Sequence, residues 1–188
     1  MSGAATHSVL ASASVVASAS ASAIAGLALF AAWSILLSVI DIRERRLPNR
    51  LLVLASGTTI PLLLASAVVH GFHRGGPSAI ASDAADRLIW DTVLVAAAFG
   101  AVFAALWRWS PQGIGGGDVK LSPLVGAAVG FTGGWTAATL TVVGAFAAAA
   151  IWSIVRRPRR RPGALEKASA VPFAPCLFAS AWATIACI

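Results

Sequence analysis

Charge is what this sequence has least of. Only 11% of its 188 residues are charged, and Asp and Glu together number seven, whereas a soluble domain carries about 25% charged residues. With 58% hydrophobic residues and a mean hydropathy of +0.83, there is no room for a large soluble domain. The chain reads as an integral membrane protein, and its length fits one compact helical bundle.

Other absences narrow the chemistry. The two cysteines, Cys176 and Cys187, share the last apolar run. A helix would hold them about 16 Å apart, too far for a disulfide, and no Cys-x-x-Cys suggests a zinc site. They read as small apolar packing residues. No Lys or Arg precedes the first apolar run, so a cleavable signal peptide is not expected and the first span reads as an uncleaved anchor. Residues 1–21 are Ala/Ser-rich and low in complexity: an N-terminal extension, or the start of the first helix. The net charge of +7 raises nucleic acid as a partner, but the basic runs lack interleaved aromatics and a fold to present them. His70 and His73, with Asp83 and Asp86 nearby, are better explained as a solvated loop than as a metal site. No cofactor and no metal are expected.

What the sequence has is apolar runs, at residues 22–40, 51–69, 89–107, 121–131, 135–155 and 173–188. They predict an all-α polytopic membrane bundle of about six transmembrane helices over residues 22–188, although the fourth run is short for the ~20 residues of a straight span. Tryptophans 33, 90, 107, 109, 135 and 152 fall mostly near the borders of these runs, as an aromatic belt would. If the loop at 41–50 is inside and the runs alternate, twelve of the fourteen Lys and Arg fall inside and only Arg74 and Arg87 outside. That bias orients the chain by the positive-inside rule. It also puts Asp41 and Asp118 on the same, cytosolic side.

Ionisable groups at membrane depth are costly and tend to be functional. Asp41 follows the first run in Asp41-Ile42-Arg43-Glu44-Arg45-Arg46-Leu47-Pro48-Asn49. Proline ends or redirects a helix, so Asp41 sits beside a tight turn. Read blandly, it is an interfacial acid paired with Arg43, Arg45 or Arg46. Asp118 follows Gly115-Gly116-Gly117 and precedes Val119-Lys120. Glycine permits close backbone approach, so an extended substrate could pass close to this acid. No Gly-Lys-Ser/Thr follows, which excludes a phosphate loop. Here the bland reading is an acid at a helix N-terminus. Taken together, two carboxylates on one side are the minimum for aspartyl peptide hydrolysis. They should approach closely enough to share one water, with Glu44 outside the pair.

At these residues the chain resembles the type IV prepilin peptidases, aspartyl proteases of the Gly-x-Gly-Asp class. Asp41 with Leu47-Pro48-Asn49 matches the first motif. Gly115, Gly117, Asp118 and Lys120 match the second. Pro172-Phe173-Ala174-Pro175 matches a softer third motif, with Ala174 where the family has glycine. The resemblance covers roughly residues 25–188. It implies a membrane endopeptidase, multi-pass in the inner or plasma membrane, with Asp41 and Asp118 catalytic and Gly115, Gly117, Lys120, Pro48 and Asn49 shaping the site. Its implied partners are pilin-like precursors with short basic leaders, cut at the cytosolic membrane face, and the lipid bilayer. Longer members carry paired Cys-x-x-Cys motifs and methylate the product. These 188 residues hold no such motif, so the likeness is to the short, protease-only branch of Flp or tight-adherence pili. The alternatives are a non-enzymatic membrane component of a pilus or secretion system, and a Gly-x-Gly-Asp protease with another substrate.

Overall fold

A computed structural model describes the backbone of residues 3–44, 47–74, 79–109, 115–155 and 173–188, and the side chains within these segments except 3–20, 70–74 and 79–85. His70, His73 and Asp83, expected in a solvated loop, fall on helical backbone, and their side chains lie outside those described, as do Arg45, Arg46, Pro172 and the basic segment 156–172.

Hydrocarbon offers the backbone no hydrogen-bond partners, so an apolar run that crosses it must satisfy its own N–H and C=O groups as a helix. The described apolar runs do so. The elements of the chain are α1 (Gly3–Glu44), α2 (Asn49–Arg74), α3 (Ala79–Trp109), α4 (Gly116–Val155) and α5 (Phe173–Cys187), with no strand among the described residues. Among the described residues, four stretches are long and apolar enough to cross a membrane: Ala21–Glu44, Asn49–Val69, Asp86–Trp109 and Gly116–Val155. The surface is apolar as well. Ile35, Val53, Val143 and Ile154 are each more than 60% exposed, which suits contact with lipid.

In place of the expected six or so transmembrane helices, the described residues form five helices, four of them long and apolar enough to cross a membrane. The fourth and fifth apolar runs fall within one 40-residue element, α4, and no loop separates them. Only Gly133 and Gly134 leave helical geometry, Gly134 at φ +57° and ψ −142°. That backbone region is essentially reserved for glycine. The sequence shows a break between the runs, but two residues suffice for it.

The direction of the chain changes at this pair. The first arm of α4 runs antiparallel to α3: Pro123 lies against Gly100, Gly126 against Ala96, and Gly130 against Asp91. Gly134 also lies against Asp91, but further on Phe146 stacks on Phe103 at 6.3 Å. The second arm therefore returns along α3 towards the end where α4 began. α5 then packs on the second arm. Phe173 meets Phe146 and Phe103, Ser180 Oγ donates to the Thr141 carbonyl at 2.8 Å, and Ile188 reaches Gly133. α5 also closes on α1, where Trp182 Nε1 donates to Ser34 Oγ at 3.1 Å and Phe30 packs on Phe178. α2 pairs with α1 through Trp33 Nε1 and Thr58 Oγ1, 3.1 Å apart. Trp33 thus ties two helices together within the bundle and does not mark a border.

The core is centred on the first arm of α4, where Leu121, Leu124, Val125 and the residues on to Gly130 are buried. Lipid tails are as apolar as leucine, so transmembrane helices associate through close packing of small residues. A Cβ on Gly126 would come within 2.8 Å of the Ala96 Cα and the Val95 carbonyl, and one on Gly130 within 2.7 Å of the Asp91 carbonyl. Those neighbours are backbone and cannot swing aside.

Gly126→Val should therefore lower stability by about 1–3 kcal/mol through overpacking. Gly134→Ala should cost a similar ~1–3 kcal/mol in backbone strain. Both should appear as a lower midpoint of thermal unfolding in detergent. Gly57→Ala, whose Cβ would meet nothing within 4 Å, should be neutral or stabilising.

Candidate active site

Four helix termini meet at one end of the bundle: the C-terminus of α1 and the N-termini of α2, α4 and α5. Asp41 lies on the last turn of α1 and Asp118 on the first turn of α4. Both are buried, at 9% and 7% exposure, and each carboxylate lies within range of the other's charge. Glu44 is exposed at the end of α1, as is Arg43.

Local chemistry explains each placement. α1 ends at Glu44 and α2 starts at Asn49, with Pro48 between them. The Pro48 carbonyl accepts the first bonds of α2, from Leu51 N at 3.1 Å and Leu52 N at 3.3 Å, so the proline that interrupts one helix caps the next. At α4 the Asp118 N–H donates to the Gly115 carbonyl at 3.0 Å. The carboxylate folds back over the turn, so that a Cβ on Gly115 would sit 3.2 Å from Asp118 Oδ2. An acid in the first turn also meets the positive end of the helix dipole.

The two motifs touch each other. A Cβ on Gly117 would lie 3.1 Å from both Cβ and Cδ1 of Leu47, so this glycine lets the turn after α1 press onto the start of α4. Next to that contact, Lys120 Nζ donates to Asn49 Oδ1 at 2.7 Å. Residues about 70 positions apart are joined here, and the join holds the turn after α1 and the start of α2 against the first turn of α4. All seven residues singled out from the sequence (Asp41, Pro48, Asn49, Gly115, Gly117, Asp118 and Lys120) come to this end. No cluster of three or more metal-ligating side chains occurs among the described residues.

Sequence reading missed Cys176. It is buried at 6% exposure, and it lies within range of the charges of both Asp41 and Asp118. It is the fourth residue of α5, directly after the Phe173-Ala174-Pro175 stretch. That position, more than its residue type, is the signal that could have drawn attention to it.

The chemistry this end can support is that of two buried carboxylates beside a glycine-rich strip and an ammonium group. No match was found to a curated protein or to a solved structure. The sequence pattern of the type IV leader peptidase family matches residues 28–154, a stretch that includes both aspartates, the Leu47-Pro48-Asn49 turn and the glycine strip. The chain belongs to the type IV leader peptidase family, a family of proteases.

Proposed function

We propose that the chain is an aspartic endopeptidase that removes short basic leader peptides from type IV prepilin-like precursors, at the cytosolic face of the inner or plasma membrane. The observation that carries this reading is the meeting of the two motifs. Two buried carboxylates within range of each other's charge stand where Gly117 meets Leu47 and Lys120 meets Asn49. The cytosolic orientation is supported by the excess of Lys and Arg in the loops at this end.

Like charges in a shared low-dielectric site do not both ionise cheaply, so the pair holds one proton between them. The ionised carboxylate takes a proton from a water, whose oxygen attacks the scissile carbonyl carbon. The protonated carboxyl donates to the carbonyl oxygen, giving a neutral tetrahedral gem-diol. As this collapses, the C–N bond breaks, the leaving amine takes up a proton and the product carboxyl is released. The roles of base and acid belong to the pair and not to either residue. Gly115 and Gly117 leave room for an extended substrate backbone beside Asp118. The nearby Lys120 ammonium suits the carbonyl oxygens of that backbone.

Asp41→Asn and Asp118→Asn should each reduce processing by roughly 10²–10⁴-fold, the usual contribution of a positioned acid or base, while membrane insertion stays normal. The assay is co-expression with a pilin-like precursor, scored by the mobility shift on leader removal. Normal processing by either single variant would remove the reading and favour a non-enzymatic pilus or secretion component. A shared proton further predicts a bell-shaped dependence of kcat/KM on pH, with both limbs belonging to the pair. Loss of one limb in the wild type would argue against proton sharing.

Gly117→Val should drive Leu47 away from α4 and separate the carboxylates. Misplacement of about 1 Å can cost on the order of 10² in rate, so processing should fall by that order. Gly116→Ala, whose Cβ would meet nothing within 4 Å, is the matched comparison and should process normally.

A further inference from the structure

Pro123 lies inside α4, shortly after Asp118. Proline has no N–H to donate, and its ring crowds the carbonyl four residues earlier. In α4 that carbonyl belongs to Val119, the residue next to Asp118. The ladder of α4 is therefore open where the turn carrying Asp118 joins the rest of the helix. A carbonyl freed in this way within hydrocarbon needs another donor, and Ser and Thr side chains commonly supply it.

Ser122 supplies it here. Its Oγ donates to the Val119 carbonyl at 2.9 Å and reaches the Phe99 carbonyl of α3 at 3.3 Å. A hydroxyl has one proton, so the two carbonyls share it in a three-centre bond. Ser122 is fully buried, which keeps competing solvent away. Residues four apart lie on one face of a helix, and Asp118 is buried one turn before Ser122. Beside them the Pro123 ring lies against Gly100, so α3 meets both Ser122 and Pro123. Thr132, Thr139 and Ser153 also bond back to carbonyls of α4, but those bonds stay within the helix and precede no proline.

We propose that Ser122 is a positioning residue: its hydroxyl replaces the N–H that Pro123 lacks and pins the turn carrying Asp118 to α3. The proposal rests on the peptidase reading. It adds a second anchor for Asp118, beside the contacts of Gly117 with Leu47 and of Lys120 with Asn49. Without the hydroxyl, the Val119 carbonyl loses its donor and the turn can tilt where the proline interrupts the helix. Asp118 acts only when placed against the water and the scissile carbonyl. A tilt therefore slows the chemical step and leaves precursor binding through the rest of the site largely intact.

The test compares the loss caused by Ser122→Ala in two backgrounds: with Pro123, and with Pro123→Ala, which restores an N–H for the Val119 carbonyl. The full-length protein in detergent is assayed with a pilin-like precursor, and rates are taken per folded protein. With Pro123 in place, Ser122→Ala should lower kcat about tenfold and change KM by less than about twofold, the mark of an interaction used in the transition state. With Pro123→Ala, itself within about threefold of wild type, the same change should cost about twofold or less, because both residues act on one carbonyl. Equal losses in both backgrounds, an unchanged kcat, a loss carried by KM, or an inactive Pro123→Ala protein would overturn the positioning proposal while leaving the peptidase reading in place. If Ser122→Ala does not fold, the double variant decides. One that folds and processes like Pro123→Ala supports the proposal, and one that also fails overturns it. A wild-type protein that leaves the precursor uncut would overturn the peptidase reading itself, and the positioning proposal with it.

Discussion

Two buried carboxylates within range of each other's charge repel each other, so the contacts that hold their helices in place must lie elsewhere. Here those contacts are the closure between the turn after α1 and the start of α4: Leu47 against Gly117 and Lys120 on Asn49. The rest of the bundle supports that closure. The first arm of α4 is clamped to α3 through Gly126 and Gly130, which fixes where Asp118 stands. α1 is tied to α2 through Trp33 and Thr58 and to α5 through Ser34 and Trp182, which fixes where Asp41 stands. A small side chain at position 117 is thus a condition for the whole arrangement.

Much of this was legible in the sequence, for identifiable reasons. Apolar runs and loop charge report directly on the solvent each segment meets, so the helical class and the shared end of the two aspartates could be read without coordinates. Both motifs could be read because proline and glycine announce special backbone in any context. The number of helices could not be read in the same way. The runs at 121–131 and 135–155 look like two elements, yet Gly133 and Gly134 join them within one. A reversal this tight leaves almost no sequence to signal a loop.

Cys176 and the contact of α2 with α4 were illegible for a different reason. A lone cysteine in an apolar run carries no periodic signal, and its importance depends on α5 returning to the helix ends that carry Asp41 and Asp118. The meeting of α2 with the start of α4 is likewise a tertiary contact, which residues 49–61 do not encode alone. Lys120 drew attention through its place in the glycine motif, and only its contact with Asn49 showed that it also joins the start of α4 to the start of α2.

The reversal at Gly133–Gly134 sets a parity. A straight helix of 40 residues would extend about 60 Å, twice the ~30 Å hydrocarbon thickness, and would leave the chain on the far side of the bilayer. Folded back on itself at Gly133 and Gly134, α4 ends near the end of the bundle where it began, as the Phe146–Phe103 contact shows. α5 can then start at the same end as α4, so two helix N-termini converge on two acids, each bringing the positive end of its dipole. Straightening that reversal would leave the aspartates where they are and carry Cys176 to the other end of the bundle. Two glycines at the far end of the bundle thus decide which residues can meet at this one.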